Sequence, residues 1–245
     1  VLLLHIGVFD SDTSIRPHIT NTEVAEAVGV SIGDLQAGKD RGEAMRVMSA
    51  GAAVLVRQLF DEGKFDGAFG MGGTGGTSVI TAGMQSLPIG VPKVMVSTAA
   101  SGDTSSYVGT KDIAMFPSVV DVAGVNRISR VIFTRAAGAI CGMVDQEPGP
   151  SAEEKPIIAA SMFGNTTECV DRCRIALTDK NYEVLVFHAT GTGGRTMESL
   201  VDEGLVEAVL DITTTEWADE ICEGVFTAGP GRLDAPGKAG ITHLI

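Results

Sequence analysis

The chain has 245 residues, 44% hydrophobic and 5% aromatic, with 18 basic against 31 acidic side chains and a net charge of −13. This length and apolar content can fill one large or two small cores, whereas the acidity and the scarcity of aromatics exclude a broad nucleic-acid surface or a base-stacking platform. No apolar run approaches the ~20 residues of a membrane span, and no segment reads as a signal peptide; with Val1 as first residue, the native start is expected upstream.

Residues 2–9 read as a buried strand. Thr20 and Glu23 have capping-box spacing before a short helix at 24–28. Residues 41–62 carry a helical period, with Met45, Met48, Ala52, Leu55 and Leu59 on one side. A strand at 66–71 runs into a glycine loop, and a helix at 77–86 follows. Strands are expected at 93–97 and 113–116, then a long helix of small residues at 125–143. Residues 145–155, with Gln146-Glu147-Pro148-Gly149-Pro150-Ser151, read as a linker. The alternation restarts beyond it, with strands at 157–162, 183–187, 208–212 and 241–244, and helices near 170–177, 195–202 and 216–221. Alternating βα units on both sides of a linker predict an α/β protein of two Rossmann-like parallel-sheet subdomains, residues 1–146 and 156–245. Ligands of such sheets gather beyond the carboxyl ends of the strands.

The tetrapeptide Gly-Thr-Gly-Gly stands at a strand-to-helix junction in each half: Gly73, Thr74, Gly75, Gly76 and Gly191, Thr192, Gly193, Gly194. Glycine lets the backbone turn tightly and approach a ligand. A helix start adds unpaired N–H groups and the positive end of a dipole, which suits a phosphate. The first loop lacks both the Walker A lysine and the Gly-x-Gly-x-x-Gly spacing. Two readings are open for Gly72, Gly73, Thr74, Gly75, Gly76, Thr77: a phosphate cradle, which is carried forward, or a tight turn that only lets helix and sheet pack.

Ser101, Gly102 and Asp103 lie on a polar loop after a strand. Asp103 is open between a ribose, metal or proton role and a helix cap. Lys111 reads as a surface residue. His188 ends a strand before the second glycine loop and is the candidate general acid or base. Thr190 adjoins it, and Arg195 is the candidate anion clamp, with Glu198 beside it. His188 and Arg195 are expected to line a second anion site facing the first across the interdomain cleft. Thr213 and Glu216 have capping-box spacing and are read as a helix cap. His5 and His18 are read as structural or surface residues. Cys169 and Cys173 could share a helix face as half a metal site. The preferred reading of Cys141, Cys169, Cys173 and Cys222 is small apolar residues in a reduced cytoplasmic protein, with no metal.

The loops and turns recur in a known order. They are Gly72-Gly73-Thr74-Gly75-Gly76-Thr77, Leu87-Pro88-Ile89-Gly90-Val91-Pro92-Lys93, Ser101-Gly102-Asp103, Tyr107-Val108-Gly109-Thr110 and Ser118-Val119-Val120-Asp121. Met162-Phe163-Gly164-Asn165-Thr166-Thr167, the run from Val186 through His188 to Arg195, and Leu210-Asp211-Ile212-Thr213-Thr214-Thr215-Glu216 follow. Together they resemble the tobamovirus-resistance-like ATP-binding family, which comprises plant inhibitors of tobamovirus RNA replication and bacterial and fungal homologues. The resemblance covers nearly the whole chain. It implies two Rossmann-like subdomains, ATP (with or without Mg) bound in the first, and a homodimer. The small-residue run Ala136-Ala137-Gly138-Ala139 offers a flat face for that dimer or for packing within the subunit. In plant resistance members the resemblance also implies a viral replicase as partner. It further implies a strand and a nucleotide-facing turn before residue 2 and a segment after Leu244, so the chain is expected to be a fragment. The functional expectation is an ATP-binding protein acting through ligand-dependent assembly or partner binding. The alternative is an enzyme acting on a small phosphorylated or carboxylated metabolite, with His188 as acid or base, Arg195 as clamp and the first loop as phosphate site.

Overall fold

The computed structural model describes residues 1–10, 15–146, 149 and 154–245, and the chain divides into two units, Val1–Glu147 and Pro148–Ile245. Residues 147–148 and 150–153 of the expected linker lie outside the described residues.

The first unit opens with α1 (Asn21–Glu26), started by the capping box: Glu23 N donates to Thr20 Oγ1 at 3.3 Å and Thr20 N to Glu23 Oε2 at 2.7 Å. A short helix, α2 (Ile32–Gly38), is not legible in the pattern, because Leu35 is its one buried residue. The long helix α3 (Arg41–Asp61) is capped by Asp40 and buries Ala44, Val47, Met48, Gly51 and Ala52. It meets α1 at Gly51, where a Cβ would lie 1.9 Å from the Val24 carbonyl oxygen, so only glycine permits the approach.

Residues 2–9 are not the expected sheet strand. They form one isolated parallel bridge, Leu4 to Ile19, while Ile6 and Val8 pack on the α1–α3 core. His5 N donates to Ile19 O at 2.9 Å, and Leu3 N donates to His18 Nδ1 at 3.1 Å, which makes His18 a structural residue. An apolar run can thus pack partly on a core without joining a strand ladder.

Three parallel strands follow: β1 (Ala68–Gly72), β2 (Lys93–Ser97) and β3 (Ala114–Pro117), in the order β1-β2-β3. Between them run α4 (Thr74–Gln85) and α5 (Ser105–Val108), and α6 (Arg127–Asp145) comes last. All five residues of β2 are buried. Alternation sends Met95 toward Met84 and Ile113, and sends Val94 and Val96 toward Ala136 of α6. Ala136 is therefore core, whereas Ala137 and Gly138 are exposed.

The second unit is also built on parallel strands. It contains β4 (Ile157–Met162), α7 (Thr167–Thr178), β5 (Glu183–His188), α8 (Thr192–Asp202), β6 (Ala208–Leu210), α9 (Thr215–Cys222), α10 (Asp234–Ala239) and β7 (Thr242–Leu244). The strand order is β5-β4-β6-β7. Ala159 and Val209 meet Met197, Val201, Val206 and Ala235 in its core. Helix α10 is hidden in the sequence by Pro236, which its first turn accommodates because that amide needs no intrahelical acceptor. Each unit is thus a Rossmann-like layer of parallel strands and helices. Both α4 and α8 begin inside a Gly-Thr-Gly-Gly tetrapeptide rather than after it.

Candidate functional site

At the first loop, β1 ends at Gly72 and Gly73 is the N-cap of α4, with no side chain capping the helix. Thr77 N returns to Gly73 O at 2.8 Å and closes the first turn. The amides of Thr74, Gly75 and Gly76 precede that bond and have no acceptor among the described residues. A Cβ on Gly72 would make a tight contact, 3.1 Å from Gly76 Cα, whereas a Cβ on Gly76 would meet nothing within 4 Å. A Cβ on Gly75 would lie 3.3 Å from Nη2 of Arg41, the first residue of α3. Arg41 is exposed, and its guanidinium has no hydrogen bond or ion pair among the described residues. A helix start and a permanent cation therefore converge here.

The hydroxyls around the loop divide by burial. Thr74 is exposed. Thr77 and Ser97 are buried and 2.6 Å apart; Thr77 Oγ1 donates to Gly73 O at 2.9 Å, and Ser97 Oγ accepts from Ala99 N at 2.9 Å. The Thr77 hydroxyl is thus spent on holding the loop. The residues after β2 turn as a 3-10 segment, Thr98–Ser101, and Thr98 Oγ1 lies 3.8 Å from where a Gly73 Cβ would be. Ser101, Gly102 and Asp103 are exposed. Asp103 accepts from the N–H of Ser105, the first residue of α5, at 2.9 Å, and this backbone bond holds its carboxyl below the usual range.

The second loop has a different environment. Gly191 (φ +83°) caps α8, and its N–H donates to Glu216 Oε1 at 2.7 Å; Gly194 N donates to the same oxygen at 3.1 Å. Glu216 Oε2 accepts from Arg232 Nε at 2.7 Å. A Cβ on Gly194 would fall 2.1 Å from Oε2, and one on Gly193 1.8 Å from the His188 carbonyl oxygen. Arg232 Nη1 also donates to Glu198 Oε1 at 2.9 Å and to Asp211 Oδ2 at 3.1 Å, and Nη2 donates to Asp211 Oδ1. His243 Nε2 is 2.8 Å from Asp211 Oδ2. Burial opposes the charge of Arg232, but its bonds to Asp211, Glu216 and Glu198 outweigh this and hold it more firmly protonated than usual. A hollow of about 160 Å³, lined by Arg195, Glu198, Ser199, Gly231 and Arg232, adjoins the cluster.

These contacts redistribute the expected site. Glu216 is not the partner of a Thr213 cap: Thr214 precedes α9 without a side-chain bond, and Thr213 Oγ1 lies 2.6 Å from Thr166 Oγ1. Glu198 joins Arg232 rather than Arg195 and His188. Arg195 donates to Thr227 O at 3.0 Å and to Thr192 Oγ1 at 3.3 Å. His188 is exposed, with no hydrogen bond from its ring among the described residues, and Thr190 is half-buried. Arg41, Asp211, Arg232 and His243 were given no individual role from the sequence, because the groups they lie beside are far along the chain.

The family model described as "Uncharacterised protein family (UPF0261) N-terminal domain" matches residues 1–149, and the corresponding C-terminal domain matches residues 155–245. The chain belongs to the UPF0261 family. It is 48% identical to a UPF0261 protein of Clostridium tetani over 100% of its own length and 60% of the relative's. It is 48% identical to one of Mesorhizobium japonicum over 84% of its length and 51% of the relative's. It is 46% identical to the ToMV resistance protein Tm-1 of Solanum lycopersicum over 80% of its length and 26% of the relative's. The chain therefore spans only part of the relatives it matches. The tomato ToMV susceptible protein tm-1 matches at 45%, so similarity to the pair does not separate resistance from susceptibility.

In this UPF0261 chain the first loop and Arg41 fall within the N-terminal match, and the Glu216–Arg232 cluster within the C-terminal one. Cys141, Cys169 and Cys222 are exposed and Cys173 is half-buried, its thiol pushed up by burial and by neighbouring Cys169. Among the described residues, no group of three or more His, Cys, Asp or Glu is placed to hold a metal ion, and no helix is long and apolar enough to cross a membrane.

Proposed function

We propose that this UPF0261 chain is a nucleotide-binding protein that holds the phosphates of ATP at the start of α4 and acts through ligand-dependent assembly or partner binding. The observation that carries the reading is the conjunction of three first-turn amides without acceptors and the unpaired guanidinium of Arg41 beside Gly75. In a protein of net charge −13, these groups form a local site of the opposite sign. A phosphate placed there gains backbone N–H bonds, the helix dipole and a planar donor fork. Magnesium enters as a companion of ATP, held largely by phosphate oxygens and water. Assembly is supported by apolar residues left exposed on α6, namely Ile128, Val131, Met143 and Val144, and by Phe69 and Met71 on β1.

Isothermal titration of ATP into the full chain and into Arg41→Gln tests the site. The variant is expected to bind at least about tenfold more weakly, the loss of roughly one charge-assisted hydrogen bond, with unchanged thermal stability. Equal affinities would overturn the site. Light scattering of the same samples with and without ATP tests assembly. Steady phosphate release in them would replace the binding reading with the enzymatic one.

A further inference from the structure

Both Gly-Thr-Gly-Gly tetrapeptides open a helix after a parallel strand, but they differ in the backbone of the capping glycine (φ −72° at Gly73, +83° at Gly191) and in occupancy. At the first, the amides of the opening turn meet no acceptor among the described residues. At the second, a carboxylate of the chain already sits where an external anion would bind. We propose that the second loop is an anion site whose resident ligand is the Glu216 carboxylate, which closes the loop to external phosphate. The loop then serves as a clasp joining α8 to α9 and, through Arg232, to β6 and β7.

Three observations carry this. Glu216 is 1% exposed, and both its oxygens are bound: Oε1 takes the Gly191 and Gly194 amides, and Oε2 takes Arg232 Nε. That is the donor set of a helix-start anion site completed by a guanidinium. Gly194 is fitted to this carboxylate, since a Cβ would fall 2.1 Å from Oε2. The charge around the site also selects its ligand. Arg232 already faces Asp211, Glu198 and Glu216, so a dianionic phosphate in place of the carboxylate would enter an environment with surplus negative charge. The ligand class is therefore a single carboxylate. The inference rests on the geometry of the second unit alone and stands or falls separately from ATP binding at the first loop.

Amide NMR of the full chain, titrated with inorganic phosphate and with sodium formate, tests it. Neither salt is expected to shift the Gly191 and Gly194 amide resonances, whatever happens at Gly75 and Gly76. Saturable shifts at Gly191 and Gly194 in the unsubstituted protein would overturn the proposal. In Glu216→Ala the melting temperature is expected to fall, and formate should restore part of the loss saturably and beyond an equal concentration of chloride. Formate should then also shift Gly191 and Gly194. A folded Glu216→Ala that responds to formate no better than to chloride overturns it too. If Glu216→Ala does not fold, Glu216→Gln keeps an acceptor oxygen for the two amides and should melt below the parent chain. An unchanged melting temperature there counts against the clasp.

Discussion

Lys93 is fully buried, and its Nζ reaches the half-exposed carboxylate of Asp112 at 2.8 Å. The same ammonium donates to Pro88 O at 2.8 Å and to Val91 O at 2.7 Å, so its three protons have three acceptors. The pair ties the turn before β2 to the turn before β3. Lys93→Met keeps the stem and strands two carbonyls and a carboxylate. It is expected to destabilise the first unit by about 2–3 kcal/mol, read as a lower urea midpoint with an unchanged slope.

The Asp112 carboxyl makes the contribution pH-dependent. Burial pushes its pKa up, but the hydrogen bonds from Lys93 and from Gly90 N–H, together with the Lys93 charge, hold it below the ordinary 3.8. A depressed carboxyl stabilises the fold above its unfolded value, and that stabilisation is lost as pH falls through the folded value. Asp112→Asn should therefore be less stable than the parent at neutral pH, with the difference shrinking toward zero below about pH 4. A difference that persists undiminished in acid would rule out the ion pair as its source.

Arg232 faces the wholly buried carboxylates of Asp211 and Glu216 and the partly buried one of Glu198. Arg232→Leu should destabilise the second unit by about 3–5 kcal/mol, the usual effect of orphaning buried charge. Arg232→Lys should recover little, because one ammonium cannot reproduce the Nε, Nη1 and Nη2 fork. Trp217, the single tryptophan, donates its Nε1–H to Arg232 O at 2.8 Å. Its fluorescence during denaturant unfolding is the direct readout.

Gly75→Val and His188→Ala make opposite predictions at the ligand sites. A valine side chain at Gly75 enters the space beside Arg41 Nη2 and should weaken ATP binding at least about tenfold, or 1.4 kcal/mol, without unfolding the chain. His188 makes no ring hydrogen bond among the described residues. Its replacement should change stability by under about 0.5 kcal/mol and leave ATP affinity at the first loop as it was. Calorimetry of both variants checks this, and a loss of affinity in His188→Ala would show that the site is not confined to the first loop and Arg41.

The sequence by itself determined whatever is settled within a few residues. The Thr20–Glu23 capping box, the period of α3 and the apolar runs of β2 and β4 are local patterns found where they were read; both strand–glycine–helix junctions are present too, but α4 and α8 start inside the tetrapeptides rather than after them. Alternating units of this kind suffice for two parallel-sheet halves. Local patterns were silent on α2, with its one buried residue, and on α10, masked by Pro236. They misassigned residues 2–9, whose apolar run finds a core but no strand ladder beyond one bridge. Only the tertiary structure decided what the two identical tetrapeptides are. Gly191 receives the carboxylate of Glu216, 25 residues away, while Gly75 receives the guanidinium of Arg41 from the start of α3. A tetrapeptide specifies a helix start with unpaired amides. Which charge arrives beside those amides depends on how distant helices pack, and no spacing along the chain encodes that.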